Sequence, residues 1–210
     1  MIIAIDGPAA SGKGTIARAL ARHYDLPYLD TGLLYRAVAA SLLDKQGDSG
    51  KESDALEACD FSDSLLSDSR LRTEKTGKVA SEISAFPKVR QALIKRQRDF
   101  ATQQSGAVLD GRDIGTVIVP DADVKLFITA SPEIRAKRRY DELVKNNPDL
   151  TYDTILDDIK TRDLRDSSRK EAPLKQAEDA DLLDSSLLGI DMAIERAVAL
   201  VEKQLKTVQG

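Results

Sequence analysis

Met1-Ile2-Ile3-Ala4-Ile5 is a short apolar run that ends at Asp6 and opens directly onto Gly7-Pro8-Ala9-Ala10-Ser11-Gly12-Lys13. After Gly14-Thr15 a helical pattern sets in at Ile16, Ala19 and Leu20. Strand, glycine-bounded loop closed by Gly-Lys, and helix are the parts of a phosphate-binding P-loop. Such a loop turns successive backbone N–H groups and a helix N-terminus toward phosphates, and its lysine adds a point charge. Gly7, Pro8, Ala9, Ala10, Ser11, Gly12, Lys13, Gly14 and Thr15 are therefore the expected nucleotide-phosphate site. One position departs from the general motif, because Gly14 stands where Ser or Thr is usual and Thr15 comes one later. The usual Mg²⁺-binding hydroxyl is thus missing, and the metal must be held by phosphates, waters, Thr15 or a carboxylate elsewhere.

Apolar runs at Met1–Ile5, Pro27–Leu29, Ala107–Leu109, Val124–Thr129 and Ala180–Leu183 read as buried strands, each followed by a turn residue and a helical pattern. That alternation predicts an α/β fold of three layers, a five-stranded parallel sheet with helices on both faces. Asp6, Asp30, Asp110, Ser131 and Asp184 stand at the carboxyl ends of these strands, the edge where open α/β sheets bind ligands. Ser131 with Pro132 and Glu133 predicts a helix to about Val144. Pro87 opens another carrying Val89, Leu93 and Phe100, and Ile190, Ile194, Ala197 and Val201 mark a last helix capped near Gly189. Two stretches, Asp44 to Thr76 and Lys145 to Pro173, break the alternation and read as insertions over the sheet. In the first, only Leu56, Phe61, Leu65 and Leu66 are available to bury.

The 210 residues suit a single domain, 1–210, with small insertions. No apolar run approaches a membrane span, and the N-terminal run is too short for a secretory signal, so a cytoplasmic protein is expected. Cys59, the one cysteine, excludes an internal disulfide and reads as a partly buried small hydrophobe. A net charge of −4 gives no field suited to nucleic acid. Arginines are nonetheless concentrated at 135–139 and 162–169, which suggests a small anionic ligand.

Asp110 follows apolar residues in Val108-Leu109-Asp110-Gly111-Arg112-Asp113-Ile114-Gly115. It is placed like the second acidic residue of a P-loop fold, which binds Mg²⁺ directly or through water. Arg112 and Asp113 extend over the ligand edge. In Leu29-Asp30-Thr31-Gly32 followed by Tyr35-Arg36, Thr31 is expected to cap a helix whose N-terminus receives an anion. Arg162, Asp166 and Arg169 lie at i, i+4 and i+7, one face of a helix if the helix persists, whereas Asp163 and Arg165 read as a solvated pair. His23 is the only histidine, and no nucleophilic triad can be built. A phosphate monoester acceptor needs no base, since its second pKa is about 6 and its oxygen is already largely ionised at neutral pH. It needs cations, and Lys13, Arg36, Arg90, Arg112, Arg162 and Arg169 supply them.

With Ala80-Ser81, Phe86-Pro87-Lys88-Val89-Arg90 and Asp110-Gly111-Arg112-Asp113-Ile114-Gly115-Thr116-Val117 added to the loop, the chain resembles the bacterial cytidylate kinases, P-loop nucleoside monophosphate kinases, over nearly its whole length. The resemblance implies transfer of the ATP γ-phosphoryl group to CMP or dCMP with Mg²⁺, by a monomer. It implies a monophosphate-binding insertion at about 31–104 and a mobile lid at about 146–172. Ser81, Arg90 and Asp113 would read the cytosine edge, and Thr31, Arg36 and Arg112 would hold the acceptor and its phosphate. Asp166 would bind the ribose, with Arg162 and Arg169 reaching sugar and phosphates. Longer members carry a small antiparallel sheet in the insertion, for which Leu65 to Thr76 leaves little room. Many have Ser where this chain has Thr31. Two alternatives stay open: the same chemistry on another monophosphate, and an ATP-binding switch without phosphotransfer.

Overall fold

A computed structural model describes residues 1–145 and 147–208. Asn146, where the expected lid begins, and residues 209–210 at the end of the expected single domain lie outside the described residues. The chain forms two compact units, one of Met1–Leu29 with the chain from Ala101 onward, the other Asp30–Phe100.

The first unit is built on β1 (Ile2–Asp6), β3 (Ala107–Gly111), β4 (Val124–Thr129) and β5 (Asp181–Asp184), to which β2 (Tyr28–Asp30) adds an edge. The sheet order is β2-β3-β1-β4-β5, and β1 pairs in parallel with β3 on one side and β4 on the other. Its strands are short, β1 and β4 are rich in β-branched residues, and the strands at the centre are largely buried on both faces, as parallel sheets require. Register aligns Asp6 with Gly111 and Phe127, so the ends of β1, β3 and β4 form one rim. α1 (Lys13–His23) and α8 (Ile190–Val208) pack on this sheet through Ile16, Leu20, Ala193, Ala197 and Val201.

The helix starts follow their cap chemistry. Ser131 accepts from the Ile134 N–H at 3.3 Å with Pro132 in the first turn, and α6 runs Pro132–Leu143. α7 (Tyr152–Ser168) begins where Thr151 accepts from the Thr154 N–H. The last helix differs from expectation in one residue. Ile190 is 68% exposed, and the buried stripe begins instead at Ala193.

In the second unit, α2 (Thr31–Asp44), α3 (Glu52–Glu57), α4 (Glu74–Ile83) and α5 (Pro87–Ala101) frame the insertion. The segment that left little room for a sheet forms two 3₁₀ turns, Asp63–Ser67 and Ser69–Arg72. Leu71 is buried there with Ala37 and Ala40, against Phe61, Leu65 and Leu66. Leu56 stays exposed, so the cluster closes without it. Cys59 is half-buried, its thiol pushed up to about 11 by burial, in line with a small hydrophobe.

Gly7 shows how tightly the rim is built. A Cβ there would stand 1.9 Å from the Ile128 carbonyl oxygen, so the chain leaves β1 against the backbone of β4. Gly7→Ala is expected to lower stability by about 1–3 kcal/mol in urea denaturation, as overpacking does. An unchanged midpoint would mean that the two strands separate freely at this end.

Candidate active site

Of the expected phosphate-binding residues, Gly7 to Gly12 form the loop between β1 and α1, and Lys13, Gly14 and Thr15 open the helix, with Thr15 exposed. Its outward carbonyls have specific partners. Arg135, 3% exposed on α6, donates from Nη1 to the Ala9 carbonyl at 3.3 Å and from Nε to the Ala130 carbonyl at 2.8 Å. Ser185 Oγ donates to the Ser11 carbonyl at 2.9 Å, and Arg138 holds Ser185 through its hydroxyl and its carbonyl. Between these anchors Ala10 takes φ 58°, a left-handed conformation costly for a residue with a Cβ. Its methyl packs on Ala136, Ile155 and Ile159, which helps to hold it there.

Asp6 fixes the next turn. Its two oxygens accept the N–H groups of Ile114 and Gly115, both at 2.8 Å, anchoring the short π turn Ile114–Ile118 that follows Arg112 and Asp113. Burial pushes this carboxyl up to about 7 despite those two hydrogen bonds. Asp110, buried at the end of β3, accepts from the Tyr28 hydroxyl at 3.0 Å and lies 3.9 Å from Lys13 Nζ.

The arginines converge on Asp166. Arg112 Nε donates to Asp166 Oδ2 at 2.9 Å, and Arg162 Nε lies 3.9 Å from the same oxygen. Arg169 Nη2 stands 3.7 Å from Asp113 Oδ1. Burial, the largest influence, pushes the Asp166 carboxyl up, but Arg112, Arg162 and Arg169 outweigh it and hold it below the ordinary carboxylate range. The helix persists only to Ser168. Arg169 is the cap residue with extended backbone, so the expected single helical face is completed by a turn in which Arg169 Nε donates to the Ala172 carbonyl at 2.6 Å.

Two expectations from the sequence do not hold. Asp163 is not solvated with Arg165. It takes both Nη1 and Nη2 of the buried Arg135, at 2.9 and 2.5 Å. The 135–139 arginines are correspondingly not all for an external anion, since Arg135 serves the protein's own carbonyls. Sequence offered one signal for this, an arginine one turn past the Ser131 cap beside the small Ala136; the partner across the chain had none.

The second unit holds Thr31, Arg36, Ser81 and Arg90. Thr31 is buried as the first residue of α2, and the cap position belongs to Asp30, with no side-chain cap bond. The expected capping role of Thr31 is therefore incorrect. Arg36 donates from Nη1 to the carbonyls of Leu71 and Thr73, and Gly77 makes room for it: a Cβ there would stand 2.7 Å from Arg36 Nη2. Ser81 on α4 and Arg90 on α5 are both 4% exposed, and Arg90 Nη1 donates to the Ser84 carbonyl at 3.4 Å.

A parallel sheet whose central strand opens into a clamped glycine loop, with a lysine, a buried carboxylate and an arginine cluster on its rim, defines a P-loop kinase-type α/β protein. A family model described as "Cytidylate kinase" matches residues 3–203. A cytidylate kinase of Xanthobacter autotrophicus is 56% identical over 203 residues, covering 96% of this chain and 97% of that protein. One of Brucella suis biovar 1 is 50% identical over 210 residues, covering 100% and 96%. The chain belongs to the cytidylate kinase family. Among solved structures, a gluconokinase from Sinorhizobium meliloti 1021 superposes with TM-score 0.55 at 11% identity, covering 99% of this chain and 95% of its own. That likeness speaks for the fold alone.

Two outcomes are expected. Asp163→Ala leaves the Arg135 guanidinium buried without its carboxylate and costs about 3 kcal/mol by thermal or urea unfolding, whereas the exposed Asp158→Ala costs less than about 0.5. Equal small losses would remove Arg135 from its anchoring role. Because the Asp6 carboxyl is raised from 3.8 to about 7, its contribution to stability is fully present below the lower value and is lost as pH rises through the upper one. Wild type should therefore gain stability relative to Asp6→Asn as pH falls from 8 to 5 in unfolding curves, and parallel curves would contradict this.

Proposed function

We propose that this chain transfers the γ-phosphoryl group of ATP to CMP or dCMP, forming ADP and CDP or dCDP. The observation that carries the reading is family membership over residues 3–203 joined to an arginine–carboxylate cluster beside the P-loop. An oxygen of the acceptor phosphate attacks the γ-phosphorus as the bond to the β–γ bridging oxygen breaks. The acceptor oxygen is ionised in solution, so the chain's task is to position two anions and neutralise them.

In this reading the loop amides of residues 7–15 and Lys13 hold the donor phosphates. Arg112, Arg162 and Arg169 act on the transferring group and the acceptor phosphate. Asp166 keeps those arginines oriented before substrate arrives and takes a ribose hydroxyl when it does. Thr31 and Arg36 belong to acceptor binding, and Ser81, Arg90 and Asp113 to reading of the cytosine edge. The segments 31–104 and 146–172 serve as the monophosphate-binding insertion and the lid, whose closure excludes water.

Mg²⁺ fits the donor set. Asp110 offers one buried, hard-oxygen carboxylate beside the phosphate loop, and Mg²⁺ is bound by one or two carboxylates together with phosphates and water. Asp110 would hold it, through water, with Thr15 as a further hydroxyl. Bound there, the ion supplies positive charge to the donor phosphate oxygens. No helix among the described residues is long and apolar enough to cross a membrane.

A coupled assay with ATP and Mg²⁺ should show CMP and dCMP turned over far better than UMP or AMP. Arg112→Ala should lower kcat/KM for CMP by about a hundredfold or more, the scale for losing one charge-stabilising donor. Preferred turnover of AMP or UMP would sink the substrate assignment. Nucleotide binding without CDP formation would instead support a binding module.

A further inference from the structure

The loop lacks a hydroxyl at Gly14, and the edge strand β2 brings one close to it. A Cβ built on Gly14 would stand 3.4 Å from Asp110 Oδ2 and 3.6 Å from the Tyr28 hydroxyl oxygen. That hydroxyl donates to Asp110 Oδ1 at 3.0 Å. Oδ2 is then the oxygen that faces the loop, 3.9 Å from Lys13 Nζ. The Tyr28 ring is itself fixed, with the Arg18 guanidinium carbon 5.8 Å from its centroid. These four residues, Tyr28, Asp110, Lys13 and Arg18, all belong to the first unit.

A phenol that donates its one proton keeps acceptor lone pairs, so it can accept a hydrogen bond from a cation-bound water while still donating to a carboxylate. A side chain fixed by a second hydrogen bond also loses less freedom when it engages a metal. We propose that Tyr28 is the positioning residue of the divalent-cation site, its hydroxyl on β2 replacing the one that the general P-loop motif carries on the residue after the lysine. It acts through Asp110, turning Oδ2 toward the phosphate loop. This rests on the kinase reading above, since the cation in question accompanies the donor nucleotide.

The test is a titration of Mn²⁺ followed by its electron paramagnetic resonance signal, with a non-hydrolysable ATP analogue present, on wild type, Tyr28→Phe and Tyr28→Phe/Gly14→Ser. Analogue affinity in EDTA is measured alongside. The phenylalanine variant should bind the analogue in EDTA as wild type does, yet bind Mn²⁺ about tenfold to a hundredfold more weakly, the scale of one lost hydrogen bond to a charged group. Gly14→Ser meets only ordinary contacts and should recover a large part of that loss. Wild-type Mn²⁺ affinity in Tyr28→Phe overturns the proposal. So does an equal loss with and without metal, which would mark a merely structural tyrosine, or a serine that recovers nothing. If wild type makes no CDP while the Mn²⁺ curves behave as expected, the substrate assignment fails and the role of Tyr28 stands.

Discussion

The glycine-bounded loop of this protein depends on which way the peptide groups of residues 9–12 face. In a trans peptide the C=O and the following N–H point to opposite sides, so holding the carbonyl on one side presents the amide on the other. The Ala9 carbonyl is held by Arg135, and the Ser11 carbonyl by Ser185 backed by Arg138. The amides of Ala10 and Gly12 are thereby turned to the far side, where phosphates can take them. A cation on the carbonyl also polarises the peptide and strengthens its donor. The left-handed Ala10 is the local cost of this arrangement, offset by the contacts of its methyl with the α6–α7 cluster.

The same buried arginine joins the loop to α7. Asp163, which receives the Arg135 fork, lies one residue from Arg162 and three from Asp166. The arginine–carboxylate cluster is thus registered to the phosphate loop through one guanidinium, at the expense of burying an ion pair. Asp6 does the equivalent for Arg112 and Asp113 by tying the turn that follows them to the end of β1. The phosphate loop, α7 and the turn after Asp113 are thus each tied down by a buried ionisable side chain, Arg135 or Asp6.

Much of this was legible in the sequence, for physical reasons. The sheet could be read because buried parallel strands are continuous apolar runs, and Val124–Thr129 was placed to the residue. Ser131-Pro132 gave the start of α6 because cap chemistry is local. What escaped depends on partners far along the chain. Asp163 looked solvated because nothing nearby in sequence reveals that α6 lays Arg135 against it, 28 residues away. Tyr28 looked like an ordinary strand residue because Asp110, its partner, is 82 residues on. Thr31 lies one position past the cap, and a hydroxyl before a helical pattern looks the same in sequence at the cap and at the first helical residue.

The central claim is that this site positions and neutralises two phosphates, and that no group of the protein removes a proton from the acceptor. The most direct measurement is the pH dependence of kcat/KM for CMP beside that for a cytidine phosphonate whose second ionisation is weaker. The expected result is an acid limb near the second pKa of the phosphate, about 6, which moves upward with the phosphonate's own ionisation. A limb that stays at one pH for both acceptors would place the ionisation on the protein and contradict the account.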